Sequence, residues 1–109
     1  PLTMNLWETK PLQFKVTEDG KDVTASVTDI VPTNQNDISD KFEFVKISNT
    51  SWGYKSIKAS DSAQTTAQAT FDVKVTLDGK ETILHGTVQL VTNANDGSIP
   101  SNRFDIAFM

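Results

Sequence analysis

Cysteine is absent from this chain of 109 residues. That absence removes a disulfide scaffold, thiolate catalysis, zinc fingers and cysteine-held iron-sulfur sites. Histidine occurs once, at His85, so no pair of imidazoles exists to build a metal site. Basic charge is scarce too: ten Lys and Arg stand against fourteen Asp and Glu, a net charge of −4. Unaided binding to nucleic acid or to an anionic membrane surface is therefore not expected. Apolar runs of the roughly 20 residues that span a bilayer are missing, so no direct membrane insertion is expected. Residues 1 to 10 hold neither a basic leader nor a cleavable apolar region. The chain also lacks a glycine-rich phosphate loop, a G-x-S-x-G elbow, and any repeat at periods of 20 to 50 residues.

What remains is enough apolar material for one core. Hydrophobic residues make up 37% and charged residues 22%, which fits a single domain over residues 1 to 109 with a radius of gyration of about 13 Å. Without an initiator Met, and with strand-like apolar segments at both ends, the chain reads as a module of a longer polypeptide. Apolar residues alternate with polar ones at Leu2, Met4, Leu6; Leu12, Phe14, Val16; Val23, Ala25, Val27; Phe42, Phe44; and from Ala67 to Leu77. The alternation returns at Leu84, Val88, Leu90 and at Phe104, Ile106, Phe108. Period two means strands with one buried face, and no stretch of helical length keeps the helical spacing. Asn36 to Asp40 could form a helical turn, but its polar composition and the upstream Pro32 favour a loop.

Two hairpins can be registered from the sequence. Asp78-Gly79 suits a two-residue type I′ turn, whose central positions need positive φ. Pairing outward from it sets Val75 against Thr82, Val73 against Leu84, Phe71 against Gly86 and Ala69 against Val88 on one apolar face. Asp72 then meets His85 on the polar face. The Phe71 ring would cover the bare backbone of Gly86. Asp19-Gly20 repeats the pattern, setting Val16 against Val23, Phe14 against Ala25 and Leu12 against Val27. A third Asp-Gly, Asp96-Gly97, fails the same test, so a longer connection from Thr92 to Asn102 is expected there. With no helix to cover them, the apolar faces must bury each other, which predicts a two-layer sandwich of about seven or eight mostly antiparallel strands.

Candidate functional residues are few. His85 and Asp72 could be a base and its orienting carboxylate, or a cross-strand ion pair of a few tenths of a kcal/mol. The loop around Asp96 departs from the calcium pattern before Asp96, and Arg103 stands where a bidentate Glu is needed. No cofactor and no metal is expected. Asn49-Thr50-Ser51-Trp52-Gly53-Tyr54 gathers aromatic and hydrogen-bonding side chains at a loop-to-strand junction. Trp52 and Tyr54 share one strand face, either stacking on a sugar or anchoring a protein, or filling the core or rim of the sandwich. Asn49 heads an N-glycosylation sequon.

The segments DGKDVTASV (19 to 27) and FDVKVTLDGKETILHGTVQL (71 to 90) resemble bacterial immunoglobulin-like domains of invasin- and intimin-like surface adhesins and of phage tails and capsids. The shared pattern is a short strand, a D-G-K turn and a Val/Thr-rich strand, over about a third of the chain. The disulfide of antibody-type domains has no counterpart here. The resemblance implies an immunoglobulin-like β-sandwich, extracellular on a bacterial surface or a virion, acting as a non-enzymatic spacer or adhesion module. Its partners would be neighbouring domains of the same chain and a protein or surface glycan. The hydrophilic stretches 32 to 41 and 92 to 102 would be contact loops. The other reading is a carbohydrate-binding module using Trp52 and Tyr54.

Overall fold

The structure is a computed structural model that describes residues 1 to 58 and 64 to 94. The strand expected at Phe104, Ile106 and Phe108, the loop around Asp96 and most of the 92 to 102 connection lie outside them. The described chain runs β1 (Leu2–Met4), β2 (Thr9–Pro11), β3 (Thr17–Glu18), β4 (Lys21–Asp22) and a 3-10 turn η1 (Thr24–Ser26). It continues through β5 (Val27–Pro32), the one-turn helix α1 (Gln35–Ile38), β6 (Phe42–Ser48), β7 (Ser51–Ser56), β8 (Thr65–Leu77) and β9 (Lys80–Thr92). One sheet has the order β1-β9-β8-β5, a second the order β2-β7-β6, and β3-β4 is a small ribbon. Only β1 on β9 is a parallel pair among these ladders.

The two sheets enclose one core that includes Met4, Ile30, Phe42, Trp52, Tyr54, Ala69, Val73 and Leu90. The fold is thus the two-layer all-β sandwich that the alternation implied. If the strands outside the ribbon are lettered A to G in chain order, B, E and D form one sheet and C, F and G belong to the other. Strand A lies on the edge of G. A buried hydrogen bond of 2.6 Å between the hydroxyls of Ser56 and Thr92 ties β7 to β9 across the layers.

The β8–β9 hairpin has the expected register throughout, from Leu77 opposite Lys80 to Thr65 opposite Thr92. Asp78 (φ 51°) and Gly79 (φ 77°) both occupy the left-handed region that a type I′ turn requires. Each arm has 13 residues, about 43 Å at roughly 3.3 Å per residue. β6 and β7 have only seven and six, so the second sheet cannot run along the whole length of the hairpin. The described residues span 67 × 29 × 22 Å with a radius of gyration of 17.3 Å, longer than a compact globule.

The Asp19-Gly20 hairpin keeps its register only near the turn. Asp19 (φ 51°) and Gly20 (φ 80°) form the bend, Thr17 pairs with Asp22 and Glu18 with Lys21, and the Val23 N–H donates to the Val16 carbonyl at 2.8 Å. The expected Phe14–Ala25 and Leu12–Val27 pairs do not form. Instead the Asp22 carboxylate accepts the Thr24 N–H at 2.9 Å, and the Thr24 hydroxyl accepts the Val16 N–H at 2.9 Å. These local side-chain bonds start η1 and take the place of the next ladder step. Val27 then pairs with Val75 of β8.

Residues 32 to 41 also differ from the expected loop. α1 forms there and buries Ile38. The Asn34 amide donates to the Gln68 carbonyl at 2.7 Å and accepts the Thr70 N–H at 2.9 Å, while the Gln35 amide donates to the Phe42 carbonyl at 2.7 Å. This stretch bridges the two sheets rather than standing free as a contact loop.

Phe71 lies opposite Gly86, and a Cβ at Gly86 would overlap the Phe71 ring, lying 2.9 Å from Cδ2. Gly86→Val therefore forces the ring out of place, at a cost of about 1–3 kcal/mol. Thermal melting followed by circular dichroism should show a fall of several degrees. An unchanged melting temperature would mean that the ring yields freely.

Candidate functional site

β7 points alternate side chains into the core, and Trp52 and Tyr54 fall on that inward face, with 1% and 0% exposure. Phe14 packs on Trp52 at 6.3 Å between ring centroids, and Phe44 meets Tyr54 edge-on at 5.4 Å. Between them Gly53 lets β2 approach, since a Cβ there would overlap the Lys10 carbonyl. Of the two readings open in the sequence, the structure has the core one: the two rings fill the sandwich interior, so they do not stack on a sugar or anchor a partner from the surface. Asn49 lies apart from them, exposed in the β6–β7 turn, where the Thr50 N–H donates to the Ser48 hydroxyl at 3.2 Å.

His85 and Asp72 do meet across the strands, Nδ1 to Oδ1 at 2.8 Å. The imidazole is 84% exposed, and an ion pair in that much water contributes little. Among the described residues no group of three His, Asp or Glu side chains could hold a metal ion. No described helix is long and apolar enough to cross a membrane.

The arrangement the sequence did not disclose is a groove of about 330 Å³ between residues 12 to 17 and the β8–β9 hairpin. Its origin is local. β2 ends at Pro11, which has no N–H to extend the ladder. Leu12 still donates its N–H to the Trp52 carbonyl at 2.7 Å, and the chain then runs on towards β3 without a strand partner. Leu12, Phe14, Val16, Phe71 and Val73 make the groove apolar, while Lys15 and His85 bring the only cationic or titratable groups to its lining. No carboxylate is among its lining residues, though the Asp72 carboxylate lies 2.8 Å from His85 Nδ1. Beside it β9 is an open edge: β1 covers only Leu90 to Thr92, and no described strand pairs with the outer side of Lys80 to Gln89.

A second exposed feature is Trp7. It stands in the β1–β2 turn at φ 69°, a backbone region that costs a bulky L-residue roughly 1–2 kcal/mol. Half of its surface is exposed, and the Lys55 ammonium lies 5.9 Å from the ring centroid. The turn is held by the Glu8 N–H on the Asn5 carbonyl at 3.0 Å and by the Trp7 N–H on the Ser56 carbonyl at 2.8 Å. Beside it the Asn93 amide donates to Asn5 at 2.7 Å and Gln64 donates to Asn93 at 3.2 Å. Nothing in the sequence singled out Trp7, which sits in a turn past the end of β1. The left-handed backbone that presents it leaves no sequence signal, since it is the conformation expected of Gly or Asn.

Comparison with known protein families, with curated proteins and with solved structures finds no match to this chain.

Burial pushes the Tyr54 phenol up to about 12 from its ordinary 10.0. Because the unfolded chain releases this proton first, stability falls as pH rises between those two values. The absorbance change of phenolate formation should report a midpoint near 12; a midpoint near 10 would place the hydroxyl in water. The same hydroxyl has no hydrogen-bond partner among the described residues. Tyr54→Phe should therefore match or exceed the wild-type melting temperature, whereas Trp52→Ala should lose about 3–5 kcal/mol in denaturant unfolding.

Proposed function

We propose that this chain is a non-enzymatic immunoglobulin-like module of a bacterial surface adhesin or a phage structural protein, working outside the cell as a spacer or adhesion domain. The observation that carries the reading is the strand grouping of an immunoglobulin-like sandwich drawn out to 67 Å. An elongated sandwich of this kind sets distance, and its ends offer surfaces for contact. The sequence pattern of short strands, D-G-K turns and Val/Thr-rich strands supports the same family.

The half-exposed indole of Trp7, in the same turn as Asn5, supports the carbohydrate-binding reading at a different aromatic from Trp52 and Tyr54. An aromatic platform flanked by a few polar groups is the usual composition of a small-ligand site. A glycan array probed with the wild-type protein and with Trp7→Ala separates the cases, since both should melt at the same temperature. Glycan capture lost at least tenfold in Trp7→Ala assigns adhesion to this turn. Wild-type protein that captures no glycan leaves the spacer role. Turnover of a captured glycan would overturn the non-enzymatic reading.

A further inference from the structure

The edges of this sandwich are not equally guarded. β5 carries a register shift between Val27 and Asp29 and ends in Pro32; β6 carries one between Lys46 and Ser48; β2 is three residues long and ends in proline. Bulges, prolines and short length are the devices that keep strange strands from adding to an edge. Among the described residues β9 has none of these three between Lys80 and Gln89, only the charges of Lys80 and Glu81 near its start, and its pairing to β8 runs without a break.

The chemistry of that edge is self-complementary. Since Leu77 and Lys80 close the two-residue turn, alternation along an antiparallel ladder turns the N–H and C=O of Glu81, Ile83, His85 and Thr87 outward. Ile83 is 47% exposed and Leu84 40%, two large apolar side chains of β9 that stand partly in water. An antiparallel copy of the same edge centred on Ile83 would place Ile83 on its own counterpart. It would also set each Glu81 against the other chain's His85, opposite in sign when the imidazole is protonated, and each Thr82 against a Leu84. No like charges face each other in that register.

We propose that the open edge of β9 is an interface for a second copy of this chain, two hairpins pairing antiparallel about a two-fold axis at Ile83 to make one continuous sheet. Each copy presents the same patch, so the contact closes as a dimer and does not propagate along this edge. The inference goes beyond the spacer or adhesion role and does not depend on what Trp7 contacts.

Sedimentation equilibrium on the wild-type chain should show a reversible monomer–dimer equilibrium. Ile83→Lys, which puts two ammonium groups on the axis, should weaken dimerisation at least tenfold while the melting temperature of the monomer stays unchanged, because the side chain is half in water. The chain has no cysteine, so Ile83→Cys introduces a single thiol whose counterpart faces it across the axis. Copper-phenanthroline oxidation should give a band of doubled mass on non-reducing gels. Leu84→Cys should cross-link less, since it faces Thr82. A wild-type chain that stays monomeric up to about 1 mM, a dimer untouched by Ile83→Lys, or stronger cross-linking at residue 84 than at 83 would each overturn the proposal.

Discussion

Everything in this molecule follows from the two left-handed residues at Asp78 and Gly79. A strand has a side-chain period of two, so a turn that fixes which residues face each other also fixes which face every residue of both arms occupies. With Leu77 against Lys80, Ala69, Val73 and Val75 all point inward and are buried. A one-residue slip in one arm would carry its apolar set into water and strip the sandwich of the wall against which Trp52, Tyr54 and Phe42 pack. The Phe71 ring over Gly86 adds a lock: the only strand position in β9 without a side chain is the one that the ring occupies.

The long hairpin was legible because turn chemistry and facial pattern agree there at every step. The two-layer class follows from the same alternation, since strands with one apolar face and no helix to cover them must stack. The second hairpin shows where such reading stops. Its Asp19-Gly20 turn forms as expected, but Asp22 and Thr24 have short side chains that reach neighbouring backbone groups and outcompete the ladder. Ala25, an apolar residue in phase with Val23 and Val27, ends up exposed in a 3-10 turn. The same competition raises α1, where Asn34 and Gln35 bond to backbone in different sheets. Period counts only side-chain polarity, and it is blind to bonds that a polar side chain makes with a distant main chain.

The site residues divide along similar lines. Trp52 and Tyr54 share a face, as their spacing requires, and the sequence left open whether that face looks in or out. The deciding constraint is non-local: β2 lies against Gly53 on one flank of β7, and β6 runs along the other. The inward face of such a central strand has only the core to meet. His85 and Asp72, by contrast, are neighbours by register alone, and register was readable. Trp7 was not legible at all, since its presentation in the β1–β2 turn depends on a backbone angle that its residue type seldom adopts.

Unequal strand length links these observations to the surfaces that could do work. Two 13-residue arms stand against partners of six and seven, so one sheet must outrun the other. The two arms fare differently: Leu84 on β9 is 40% exposed, while Val73, directly across the ladder on β8 and flanked by Ile30 of β5, is 8%. Residues 12 to 17 cross above that overrun without filling it, and the remainder is the groove. A sandwich optimised only to fold would trim the hairpin to the length of its partner sheet, removing exposed Ile83, exposed Leu84 and the bare edge together. Ile83 and Leu84 point to opposite faces of the sheet, and the backbone between them runs along a stretch of β9 that no described strand pairs on its outer side, so an added strand would find apolar side chains on both faces.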